Sequence, residues 1–186
     1  VTIHLSAGRF APSTTGENFP IIMMSNVNLI GQGEEVSILD AEQTDRVITM
    51  EYCQNNIISG ITIIGGFPEG EYPDNLGGGI YLQFSSPTLT NVTITENKSH
   101  YNNSYGAGIY MEGNNPPYDP GLRIVNSIVW GNKRGAGTGE EIPDQIYVTG
   151  TGRMLEVAFS DIEDLEGEGI QFYSTIDDYT NFSNIS

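Results

Sequence analysis

One short phrase occurs twice, 29 residues apart: GGGIYLQF from Gly77 and GAGIYMEG from Gly106. Each copy is followed by an Asn-centred apolar run, TNVTITEN from Thr90 and VNSIVWGN from Val125. Self-similarity at a period of roughly 20–50 residues marks stacked repeats. The repeat units are strand-like, so the expected architecture is a β-solenoid. Such a signal constrains the fold tightly and the chemistry loosely.

Two ladders extend the repeat. Aligning the Asn-centred runs places pivots at Asn26, Gly60, Asn91, Asn126 and Ser160, with steps of 34, 31, 35 and 34. The other run aligns Ile48, Ile80, Ile109, Ile146 and Ile170, with steps of 32, 29, 37 and 24. Steady pivots with variable intervals imply fixed strands joined by elastic loops, about five coils in all. Asn and Gly enter the left-handed region at least cost, so Asn26, Gly60, Asn91 and Asn126 form the expected bend ladder. Strand alternation turns Ile80, Leu82, Ile109, Met111, Ile146 and Val148 inward, with Val92, Ile94, Ile61 and Ile63 doing the same after each pivot. No segment holds a helical period.

The same alternation sends Tyr81, Tyr110 and Tyr147 to the outer face. Stacked at the spacing of neighbouring strands, roughly 4.8 Å, they are expected to form a solvent-facing aromatic stripe. Aromatic faces suit sugar rings or partner proteins; they also stabilise any solenoid wall. Insertions at 66–78, 98–106 and 133–143 leave after the Asn-centred run, so they should crowd one corner. They add Tyr72, Tyr101 and Tyr105 to the candidate ligand surface.

Charge and composition exclude several functions. The net charge of −17 argues against nucleic acid and anionic lipid, which need clustered Lys and Arg. No apolar run reaches the roughly 18 residues of a membrane-spanning helix. Cys53 is the single cysteine, so no intrachain disulfide is available. The stretch from Asp161 to Gln171 holds Asp161, Glu163, Asp164, Glu166 and Glu168, a weak Ca²⁺ candidate because that ion takes 6–8 oxygen ligands. A solvated acidic turn is the competing reading. Both termini read as cut, implying one β-helix domain over residues 1–186 that is a piece of a longer protein.

VTIHLSAGRFAPSTTGENFPIIMMSNVNLIGQG with SILDAEQTDRVI resembles the opening coils of right-handed parallel β-helix proteins of a bacterial secreted and surface class. That class includes a family known as a domain of unknown function. GGGIY with ITEN, and GAGIY with VWGN, are similar to the GGxI and FxxN repeats of chlamydial polymorphic outer-membrane proteins, with Ile94 and Val129 where Phe is usual. The resemblance implies an all-β, right-handed single-stranded parallel β-helix, located outside the cell or on its surface. The superfold also houses pectate lyases and polygalacturonases, so it does not dictate function. Lyase chemistry needs an Arg or Lys base, and the seven cations lie away from any obvious Asp cluster. The polygalacturonase pattern of paired Asp with Gly-His-Gly and Arg-x-Lys is absent. The favoured expectation is therefore a scaffold or adhesin-like module binding glycans or proteins through its outer wall and loops. The alternatives are a polysaccharide-active enzyme with its catalytic coils elsewhere, and a filament subunit self-associating end to end or side to side.

Overall fold

In the computed structural model the described residues are 1–113, 121–139, 141–150, 154–164, 170–173 and 179–183. Among them there is no helix, and the strands pair in parallel from coil to coil. The one antiparallel pair among the described residues is the small hairpin of Lys133–Arg134 with Ile142–Pro143. This is a parallel β-helix. Its first wall is a six-stranded sheet: Ile21–Ile22, Ile48–Glu51, Ile80–Gln83, Ile109–Gly113, Ile146–Gly150 and Ile170–Tyr173. The second and third walls share one bent sheet, because Gln54–Ile64 and Ser86–Thr95 run through the corner between them.

Register matches the isoleucine ladder read from the sequence. Ile48, Ile80, Ile109, Ile146 and Ile170 pair successively, and Ile21 adds a further rung before Ile48. That first rung escapes a repeat search because its strand is only two residues long. The other walls aim Ile58, Leu89, Ile124, Ile61, Ile63, Val92, Ile94 and Val129 into the same continuous core. At roughly 25 cal/mol per Å² of apolar area removed from water, these files supply most of the driving force.

The bend ladder needs two corrections. Gly60, Asn91 and Asn126 have φ of +63°, +52° and +50° and share one corner, as expected. Asn26 also has positive φ, +62°, but it occupies a different corner. Leu29 pairs with Ile58, which places Asn26 beside Asn55, and the Asn55 Nδ2 donates to Asn26 Oδ1 at 3.1 Å. The phrases SNVNLIG and SGITIIG look alike yet belong to different walls. Phe159, not Ser160, continues the Asn126 corner, with φ of +52°. Ser160 sits one position on, its hydroxyl accepting from the Ser127 amide at 3.1 Å.

A second amide ladder lies inside the helix. Asn97 Nδ2 donates to Asn132 Oδ1 at 2.9 Å, and Asn132 Nδ2 donates to Gln145 Oε1 at 2.8 Å. Gln145 Nε2 then donates to Glu163 Oε2 at 2.8 Å. Asn97, Asn132 and Gln145 have no solvent exposure, so each amide must be paired or lose its hydration uncompensated. The Asn97 amide is therefore spent on structure.

Two outcomes follow for stability. Asn132→Ala strands partners above and below and should cost on the order of 3 kcal/mol in chemical denaturation. Phe159→Asn puts a residue that tolerates the left-handed region at an exposed bend, and should stabilise by about 1 kcal/mol.

Candidate functional site

The tyrosines fall in register on the outer side of the first wall, Tyr81 beside Tyr110 beside Tyr147. Their rings stack at 5.5 and 5.6 Å between centroids, with planes 3° and 11° apart. The inward–outward phase is as expected, but the solvent-facing stripe is not. Tyr81, Tyr110 and Tyr147 are only 2%, 3% and 7% exposed, because the loops at 66–78 and 98–106 fold back over the wall. Leu76 packs on the stack, and Tyr105 covers Tyr147 at 4.4 Å. The result is a second, smaller core outside the helix.

The duplicated glycines explain the close cover. Gly77 and Gly106 have φ of +66° and +70°, and a Cβ there would lie 2.8 and 2.6 Å from the Ile80 and Ile109 carbonyl oxygens. Each would also press on the following tyrosine. The GGGIY and GAGIY phrases thus encode a tyrosine together with the loop that shields it.

Cations pin the roof. The Arg46 guanidinium lies 4.6 Å from the Tyr81 ring centroid and donates to the carbonyls of Pro73 and Asp74 at 3.2 and 2.5 Å. Arg134 lies over Tyr105 at 5.2 Å and donates to Gln171 Oε1 at 2.9 Å. Desolvated contacts of this kind contribute about 2 kcal/mol. The loops also hold each other: Asn75 Nδ2 donates to Ser104 Oγ at 2.9 Å, and Gly77 N to the Tyr105 carbonyl at 3.2 Å.

A cleft opens where the roof is incomplete. One lobe, about 330 Å³, is lined by Tyr72, Leu76, Asn103, Tyr105, Tyr110, Tyr147 and Thr149. A second, about 420 Å³, shares Tyr72 and Asn103 and adds Gly70, Glu71, Asn75 and Tyr101. Both volumes lie in the roughly 300–1,000 Å³ range of small-ligand sites. Tyr72 and Tyr101 stand 69% and 46% exposed at the lip. The loops thus gather Tyr72, Tyr101 and Tyr105 around the buried file, while Tyr81 lies beneath and lines neither lobe.

Residues 21–162 match the family described as right-handed β-helix region. The chain belongs to the right-handed β-helix family. No curated protein matches its sequence. Among solved structures it is similar to the pectin methylesterase PemA from Erwinia chrysanthemi, with a TM-score of 0.52 and 13% identity over 86% of this chain and 45% of the enzyme. A pectin methylesterase mutant in complex with a hexasaccharide gives a TM-score of 0.44 and 12% identity, over 93% of this chain and 57% of the other. The chain spans about half the length of these two proteins, and the likeness to PemA shows a shared fold.

Elsewhere on this β-helix the charged side chains hold one another. Another concavity, about 680 Å³, is lined by Arg9, Asp40, Glu42, Glu96, Lys98, Lys133 and Glu141, among others. Arg9 pairs with Asp40 at 2.5 Å, while Lys98 and Lys133 share Glu141 at 2.8 and 3.3 Å. The two lysine hydrogen bonds hold the Glu141 carboxyl below its usual range. Arg123 pairs with Glu156 at 3.1 Å. Arg153 lies outside the described residues.

The acidic stretch divides likewise. Glu163 terminates the interior amide ladder and also accepts from the Gly131 amide at 2.8 Å. Asp161 lies in a strand beside Ile128, and Asp164 is an exposed turn residue with φ of +55°. Glu166 and Glu168 lie outside the described residues. No group of three or more His, Cys, Asp or Glu gathers for a metal among the described residues.

Burial keeps Tyr81 and Tyr110 neutral. Desolvation, reinforced by Glu112, pushes the Tyr81 hydroxyl up to about 12 from an ordinary value of 10.0. Tyr110 rises further, through burial first and then its neighbours Tyr72 and Glu112. The unfolded chain gives up these protons more readily, so their contribution is full below about pH 10 and is lost as pH rises through the folded values. Absorbance at 295 nm should show these hydroxyls ionising late, together with loss of the β circular-dichroism signal. Tyr110→Ser should cost about 3 kcal/mol or more by emptying a packed aromatic position. The exposed Tyr72→Ala should cost less than about 1 kcal/mol.

Proposed function

We propose that this protein is a secreted or cell-surface β-helix module that binds glycans through the roofed cleft on its first wall. One observation carries the reading: the exposed Tyr72 lines both lobes, one floored by Tyr105, Tyr110 and Tyr147 with Asn103 and Thr149 at its edge, the other carrying the exposed Tyr101 beside Asn75 and Asn103. Sugar rings present apolar C–H faces and a girdle of hydroxyls. Aromatic faces accept the former and amide and hydroxyl groups the latter. A flat protein partner would instead call for a broad apolar patch with a polar rim. That a pectin methylesterase is built on a similar fold supports a polysaccharide ligand. The binding role does not depend on a free cationic base, in keeping with the partners found on the described lysines and arginines.

A glycan array followed by calorimetry tests the proposal. The double variant Tyr72→Ala, Tyr101→Ala should lose at least about tenfold in affinity, as expected when two aromatic contacts of ~0.5–1.5 kcal/mol each are removed. Its unfolding midpoint should stay close to that of the parent. Unchanged sugar binding in that variant, or no sugar bound by the parent, would remove the cleft from consideration.

A further inference from the structure

The third wall carries an exposed apolar site that the tyrosine cleft does not use. Phe159 stands at the corner where the preceding coils place Gly60, Asn91 and Asn126, all with positive φ. Its own φ is +52°, and the residue is 61% exposed. A phenylalanine there bears the cost of the left-handed region and gains no burial in return. Tyr52 and Phe84 take the same conformation at another corner, but their rings pack on each other at 5.1 Å. Phe159 stacks on no other ring among the described residues. Strain kept at an exposed position that the fold does not require points to function.

The surroundings of Phe159 give that function a shape. It lines a concavity of about 420 Å³ together with Ile128, Asp161 and Glu34. Ile128 and Trp130, two apart on one strand, face outward at 45% and 47% exposure, with Val129 buried between them. Asp161 lies beside Ile128 in the next coil. The loop carrying Glu34 is tied to the wall by Thr62 Oγ1, which donates to the Glu34 carbonyl at 2.6 Å. Asp40, Glu42, Glu141 and Glu156 are ion-paired, whereas Glu34 and Asp161 form no ion pair among the described residues. Carboxylates and exposed aromatic faces both attract a guanidinium or ammonium group. An aromatic and aliphatic centre with a polar rim is the anatomy of a protein-binding patch. A second copy of this chain would set the same carboxylates, and a net charge of −17, against each other.

We infer that this face of the third wall is a docking surface for a basic polypeptide segment. An aliphatic or aromatic side chain of the partner fills the concavity between Ile128 and Phe159. Its Arg or Lys residues meet Glu34 and Asp161 and lie over the Trp130 and Phe159 rings. The surface is separate from the sugar cleft, which lies on the first wall.

Trp130 is the single tryptophan of the chain, so its fluorescence reports on this wall. The test titrates the whole chain with a short alternating Arg–Leu peptide, with Arg–Ser and Glu–Leu peptides of equal length as controls. The Arg–Leu peptide should shift Trp130 emission to the blue and bind about tenfold tighter than either control. Phe159→Asn should lose about tenfold in peptide affinity with an unfolding midpoint no lower than the parent's, a combination that damage to the fold does not produce. Asp161→Asn with Glu34→Gln should weaken Arg–Leu binding several-fold and flatten its salt dependence. Tyr72→Ala with Tyr101→Ala should leave peptide binding unchanged, which separates this surface from the cleft. Arg–Ser bound as well as Arg–Leu would reduce the effect to bulk charge and overturn the inference. So would an unaltered affinity in Phe159→Asn, or no emission shift with any peptide. A Trp130 shift produced instead by neutral sugars, or by self-association seen in sedimentation, would equally overturn it.

Discussion

Parallel pairing in register between successive coils is the interaction on which everything else rests. Each residue meets its counterpart one coil away, so one side-chain choice is multiplied along the axis. A file of isoleucines becomes a continuous core from Ile21 to Ile170. A lone buried Asn would be a liability. Asn97, Asn132 and Gln145 in line satisfy one another, and Glu163 ends the line. The same multiplication builds the tyrosine stack on the outer side of the first wall.

Glycine couples that stack to its cover. Positive φ at Gly77 and Gly106 returns the loop onto the wall, and the absent Cβ lets it lie against the tyrosine that follows. Wall and roof therefore form one unit. Loops commonly carry function because a rigid scaffold positions them. Here Tyr72 and Tyr101 stand at a lip fixed by Arg46, Asn75 and Ser104. The buried tyrosines provide the floor rather than the binding face.

Fold and site were unequally legible before the structure. The Ile ladder was readable because strand alternation has a fixed period of two and register is set by burial. The corner ladder was readable where Asn91 and Asn126 repeat, and misleading at Asn26 and at Phe159. Asn26 is a true bend residue but of another corner, and Ser160 follows the bend residue Phe159 by one position. The interior amide ladder left its trace in ITEN and VWGN, but nothing in those letters says that Asn97 and Asn132 turn inward. The site was partly visible: Tyr72, Tyr101 and Tyr105 could be named with the tyrosine file. That Asn75 lies beneath them with an unpaired carbonyl could not.

By itself, the sequence determined the coil, its parallel register, the inward isoleucine files and the outward phase of Tyr81, Tyr110 and Tyr147. All of these follow from local periodicity, which every strand carries in its own letters. Only the tertiary structure decided whether outward meant exposed. Burial of the outer wall depends on where loops tens of residues away come to rest, and no local period encodes that. Loop return turned an expected stripe into a roofed stack with a cleft at its edge. It also placed Glu71, Asn75, Tyr72 and Tyr101 around one space, which their separation along the chain did not announce.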